Sequence, residues 1–173
     1  MPNSSKNTPV DLPVHMLNNP EIPHAWKIGY ISSFFIEPFY RELSHILDIT
    51  RAQYVILFCL QHSPGASAQD VVETTGRPKN SVSVAVTKLE KKGYLTRSPL
   101  PEDPRVLQMK LTPKGVHTYH GILELLQARE AAMLAPLSPA ERVTLDRLLM
   151  KVARHAPAWS YVDQKGIASL SDC

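Results

Sequence analysis

What most constrains this 173-residue chain is the punctuation of residues 67–115, where helix stops and starts follow one another too closely for any long element. Ser67-Ala68-Gln69-Asp70 has the form of a helix start with an acid in its first turn, Val71 and Val72 give an inward face, and Gly76 stops the helix early. Pro78 fits the first position of a second helix, where its missing N–H does no harm, and Val82, Ala85, Val86 and Leu89 form a stripe to be buried before Gly93 ends it. Residues 94–99 and 106–111 then read as two strands, the second with Leu107, Met109 and Leu111 on one side and Val106, Gln108 and Lys110 on the other. Prolines 99, 101 and 104 are expected to keep this hairpin short and its edges unpaired.

Two short helices joined by a tight turn containing glycine, the second basic and followed by a basic hairpin, are the order of a winged helix-turn-helix. Charge is distributed to match. Residues 77–114 hold nine Lys or Arg against three acids, a net +6, so a chain whose total is +3 carries −3 elsewhere. A basic segment in a mildly acidic protein is what a binder of nucleic-acid backbone requires, although a solvated polar surface has the same charge. Burial of the α-helical stripe turns Lys79, Asn80, Ser81, Ser83, Val84, Thr87 and Lys88 outward. Asn pairs bidentately with adenine, Lys reaches guanine or phosphate, Ser and Thr serve either, and Val meets a thymine methyl.

The flanks are helical. Residues 24–47 place apolar groups on nearly every face (Trp26, Ile28, Phe35, Phe39, Leu43 and Leu47 among them), which predicts a helix covered by more than its own domain, kinked or interrupted at Pro38. Thr50-Arg51-Ala52-Gln53 is a capping box that opens a further helix. Thr112-Pro113 starts one of roughly twenty residues by its apolar period, and Ser138-Pro139-Ala140-Glu141 launches the last, which Pro157 is expected to close. Residues 1–23, with five prolines, read as an extended arm, 24–156 as one domain and 157–173 as a tail.

Three motifs give the chain a specific resemblance. Leu89-Glu90-Lys91-Lys92-Gly93-Tyr94-Leu95, Glu102-Asp103-Pro104-Arg105 and Leu111-Thr112-Pro113-Lys114-Gly115 make it similar to the MarR family of bacterial regulators over most of its length. The resemblance implies a mainly α fold with a small β-hairpin wing (α+β): a winged helix-turn-helix over 50–111, with N- and C-terminal dimerisation helices at 24–47 and 113–156. It implies a homodimer on a pseudo-palindromic double-stranded operator, most often as a repressor, and a cleft for a small aromatic effector. Asp103 and Arg105 match the family's wing-tip motif, in which the acid orients the arginine and the arginine enters a minor groove, a site whose negative potential favours a delocalised cation. Two departures stand out. Pro104, Val106 and Leu107 occupy places where relatives often carry more arginine, which shifts recognition toward residues 79–88. Arg77-Pro78 replaces a common Ser cap, leaving Arg77 for a phosphate.

On the second helix Arg51, Tyr54 and Phe58 share a face apart from the core stripe, and Tyr30, Phe34 and Tyr40 approach from the first. Such a set suits an aromatic acid, with rings to pack it and Arg51 for its carboxylate, though an aromatic core with one surface arginine reads equally well. Cys59 leaves a redox-responsive regulator open as an alternative, and a winged helix that binds protein is another. Neither a disulfide framework nor a membrane span is suggested, so a cytoplasmic bacterial protein is expected, associated with the nucleoid when bound to DNA. No cofactor is implied. His117 and His120, three apart, lack a placed third metal ligand, and no phosphate loop, GxSxG or HExxH points to an enzyme.

Overall fold

A computed structural model describes residues 21–159, together with Leu17 and Ile167. Most of the expected arm (1–23) and tail (157–173) therefore lies outside the described residues. The chain forms two compact units, residues 1–126 and 127–173.

In the first unit, α1 (Pro23–Leu47) runs through Pro38 as one helix rather than being interrupted there. The side chains just beyond the proline explain this: Phe39 and Tyr40 pack against the core and Leu43 is buried, so packing holds the turns that follow the missing N–H. Asp48 then turns the chain with φ 50°, a left-handed conformation that Asp tolerates. The capping box at Thr50 forms as expected, with the Thr50 N–H donating to Gln53 Oε1 (2.8 Å) and the Gln53 N–H to Thr50 Oγ1 (3.3 Å), and opens α2 (Arg51–His62). Ser67 and Asp70 cap α3 (Ala68–Thr75) in the same way, and Gly76 ends it at φ 65°.

Pro78 is not the first residue of α4 (Lys79–Lys91) but its N-cap, with ψ 134°. That extended ψ places the helix start one residue later than the sequence implies. Leu89 and Glu90 carbonyls accept from Tyr94 and Gly93, closing the helix around the positive φ of Gly93. The wing is β1 (Leu95–Leu100) antiparallel to β2 (Asp103–Leu111), with Leu95 opposite Leu111 and an irregularity between Pro99 and Leu100. β2 begins earlier than expected, and its outer edge is not bare: the Met109 N–H donates to Ala66 O (3.1 Å) and the Gly65 N–H to Met109 O (3.0 Å). The turn before α3 thus lays residues 65–67 along β2. Met109 is buried as the alternation predicts, but Leu107 lies beyond this cover, opposite Pro99, and is exposed.

Ile49, Ile56, Leu57 and Leu60 meet Val71, Val82, Val86, Leu89, Leu95 and Met109 in the core, joined by Tyr119 and Ile122 from α5 (Pro113–Met133). Burying each such aliphatic side chain stabilises the fold by about 1.5–3 kcal/mol. In the second unit, Ser138 and Glu141 form the capping box of α6 (Pro139–Ala153), which buries no residue. Pro157 falls in the first turn of a short α7 (Ala156–Trp159) instead of closing α6, a position where proline costs no hydrogen bond.

Candidate nucleic-acid interface

Burial of Val82, Ala85, Val86 and Leu89 fixes the rotation of α4, so Lys79, Asn80, Ser83, Val84, Thr87 and Lys88 are exposed and Ser81 is partly so. Val84, in the middle of this face, is 56% exposed. At the wing tip, Arg105 donates to Asp103 through its backbone N–H and Nε (each 3.1 Å) and its terminal nitrogen (3.4 Å), while its side chain remains 90% exposed. These hydrogen bonds hold the Asp103 carboxyl below its usual pKa. The acid therefore orients the arginine without hiding it.

The basic stretch divides into two sets. Lys79, Lys88, Lys91, Arg105 and Lys110 are exposed. Others brace the scaffold: Arg97 pairs with Glu90, and Lys92 binds both the carbonyl and, at 2.6 Å, the carboxylate of Asp48, holding the end of α4 to the α1–α2 turn. Lys114 donates to Lys92 O (2.8 Å) and lies 4.4 Å from the centre of the Tyr94 ring. Around it, the Thr112 N–H donates to Tyr94 O (3.0 Å), the Thr112 hydroxyl to Gly93 O (2.7 Å) and the Gly115 N–H to Thr112 Oγ1 (3.1 Å). A Cβ on Gly115 would lie 2.0 Å from Tyr94 O, so only glycine fits. Two of the sequence motifs are thus the halves of one knot, tying the exit of α4 to the start of α5. Arg77 is half-buried, and its charge acts on Tyr40 and Cys59.

The six residues of the aromatic set fall into groups. Tyr40 meets Tyr54 (ring centres 6.1 Å), Tyr54 stacks on Tyr119 (6.0 Å), and Phe58 contacts Tyr119 (6.4 Å) and His62 (4.5 Å). Tyr30 and Phe34 form a second pair (4.7 Å) nearer the N-terminal end of α1. Arg51 is exposed beside Tyr40, whose pKa is raised by burial and drawn back by Arg51 and Arg77. The Tyr54 hydroxyl is buried without a hydrogen-bond partner, and burial raises its pKa strongly. Sequence reasoning missed Tyr119 and His62, whose hydroxyl and Nε2 are 3.2 Å apart. Burial also raises the Cys59 thiol pKa, with Arg77 opposing, and a protonated thiol is a poor redox nucleophile. Among the described residues no three His, Cys, Asp or Glu gather as metal ligands, and no single helix is long and apolar enough to cross a membrane.

The MarR family model matches residues 49–107, the helices and wing just described. Over that stretch the chain is similar to the MarR family. A relative from Thauera aromatica, named for transcriptional regulation of the hcr operon, is 29% identical over 126 residues, covering 73% of this chain and 75% of its own. Among solved structures, a mutant MarR from E. coli complexed with operator DNA is 26% identical with a TM-score of 0.67, covering 79% of this chain and 97% of that one. BpsR of Bordetella bronchiseptica, solved to explain how 6-hydroxynicotinic acid regulates its DNA binding, is 25% identical with a TM-score of 0.66, covering 75% and 92%. With its winged helix, this chain is a DNA-binding transcriptional regulator similar to the MarR proteins.

Proposed function

We propose that this protein acts in the bacterial cytoplasm as a dimeric repressor, released from a pseudo-palindromic operator by a small aromatic carboxylate. The observation that carries the reading is the outward polar face of α4 beside an exposed, acid-clamped Arg105. In this reading Lys79, Asn80, Ser81, Ser83, Val84, Thr87 and Lys88 enter the major groove, Asp103 aims Arg105 into the neighbouring minor groove, and Arg77 serves a backbone phosphate. Exposed apolar side chains support self-association: Ile28, Ile31 and Phe34 on α1, and Val143, Leu148 and Leu149 on α6. Twofold symmetry then spaces half-sites about 10 base pairs apart.

The acid regulating BpsR and the exposed Arg51 beside Tyr40 support an effector with one ring and one carboxylate. Tyr54 and Phe58 complete its surroundings from α2, and Tyr30 and Phe34 contribute from α1. The test is fluorescence anisotropy on a labelled duplex that the full chain selects from a random pool. Affinity should fall steeply as salt rises and fall again on adding hydroxylated benzoic or nicotinic acids, while Arg51→Ala keeps DNA affinity and loses the acid response. No duplex binding at low salt sinks the DNA reading; an unaltered response in Arg51→Ala sinks the effector site.

A further inference from the structure

Between the start of α2 and the outward face of α4 lies a recess of about 370 Å³, lined among others by Thr50, Ala52, Gln53, Asn80, Ser81 and Lys88. Gln53 is 1% exposed. Its Oε1 is used, accepting the Thr50 N–H at 2.8 Å, but its Nε2 is buried with no hydrogen-bond partner, an arrangement native interiors rarely leave in place. The capping box satisfies the backbone N–H groups of Thr50 and Gln53, leaving that of Ala52 in the first turn of α2 without an intrahelical acceptor. The positive end of the helix dipole is here, and the Lys88 ammonium adds a full charge. No acid lines the recess among the described residues, and Asp48, two residues before Thr50, pairs with Lys92 at 2.6 Å. Most of the lining is apolar, with Val84 and Ala85 among it, and the orphaned amide, the first-turn N–H, a hydroxyl and an ammonium are donors set into that surface, which is the chemistry of an oxyanion seat.

Continuity identifies the oxyanion. Asn80 and Lys88 belong both to this recess and to the face proposed to enter the major groove, so a duplex held there brings its sugar-phosphate edge to the recess. We propose that the recess seats one operator phosphate in each subunit, with Gln53 and the first turn of α2 as a positioning clamp that sets how deeply α4 lies in the groove. This inference rests on the reading that α4 binds DNA.

The test uses the full chain and its selected duplex, resynthesised with a single neutral methylphosphonate linkage at each position in turn. Wild type should lose about tenfold in affinity at one phosphate per half-site, because a neutral linkage forfeits the charge-assisted contact. Gln53→Glu keeps the acceptor for the Thr50 N–H but puts a carboxylate where the amide was. It should bind the unmodified duplex about tenfold more weakly and no longer sense that linkage. Lys88→Met, at an exposed helix position, should lose sensitivity at the same linkage and serves if Gln53→Glu does not fold. Sensitivity of either variant equal to wild type at every linkage overturns the clamp while leaving DNA binding intact. Failure of wild type to bind any duplex overturns the underlying reading instead. Inorganic phosphate at constant ionic strength provides the last arm: amide shifts at Ala52 and Gln53, combined with a DNA affinity indifferent to Gln53→Glu, would assign the seat to a free anion and overturn the operator phosphate.

Discussion

Residues 49–111 and helix α6 use apolar side chains in opposite ways. In the first, Ile56, Leu57, Val71, Val86, Leu89, Leu95 and Met109 are shielded within one chain, and capping boxes and glycine turns satisfy the ends of the short helices. On α6, Val143 is 71% exposed and Leu148 and Leu149 about half, and no residue is buried. The difference separates two kinds of information in one sequence: a region whose apolar pattern is buried within its own unit, with Leu43, Tyr119 and Ile122 closing its core, and a helix whose apolar side chains are left exposed.

The contrast breaks most violently at the centre of the first region. Leu57→Ala leaves a cavity where nothing is exposed, so denaturant titration should show about 2–5 kcal/mol of lost stability, with DNA binding lost alongside. On α6 the same class of change should act on the proposed association: Leu149→Glu should leave the thermal unfolding of the winged region intact while sedimentation shows the proposed dimer weakened by at least about tenfold, as expected for one uncovered aliphatic anchor. If instead it unfolds residues 49–111, the two regions are not separable.

Arg105→Ala should then cost about tenfold in operator affinity with no change in unfolding midpoint, since the side chain is almost wholly exposed. Unchanged affinity in a gel-shift titration would remove the wing from recognition. The smallest effect concerns pH. Arg105, Arg97 and Lys92 hold Asp103, Glu90 and Asp48 below their ordinary pKa values. Because the folded values are the lower ones, this stabilisation is fully present above the usual carboxylate range, near about pH 4, and is lost as pH falls through the folded values. Midpoints measured from neutral to acid pH should drop less steeply for Glu90→Gln than for wild type.

Sequence reasoning succeeded where the determinant is local. Thr50, Ser67 and Ser138 announce helix starts through residues three positions away, and Gly76 and Gly93 announce ends through backbone freedom. The outward face of α4 was legible because the apolar period alone fixes helix rotation. What escaped depends on contacts between distant segments. The pairing of Ala66 with Met109 joins residues whose pattern carries no sign of the other, and the stacking of Tyr54 on Tyr119 brings together positions read separately as pocket and core. Pro78 shows the limit of punctuation itself: proline suits the cap and the first turn alike, and only the backbone angle distinguishes them. Gln53 was visible as a capping residue, but the burial of its other amide atom is a property of the folded packing around it.

The Asp103–Arg105 clamp also bears on how such a protein travels along DNA. With a carboxylate 3.1 Å from its guanidinium, the wing tip presents to distant phosphates a dipole rather than a bare cation, and a dipole's attraction fades much faster than a charge's. The tip adds little to the long-range pull of random sequence, so it exerts little drag on sliding. In the proposed complex its guanidinium is felt only at contact, where a groove narrow enough to concentrate negative potential meets the exposed arginine. A residue that carries its own counterion thus raises the contrast between a stopping place and the rest of the chromosome.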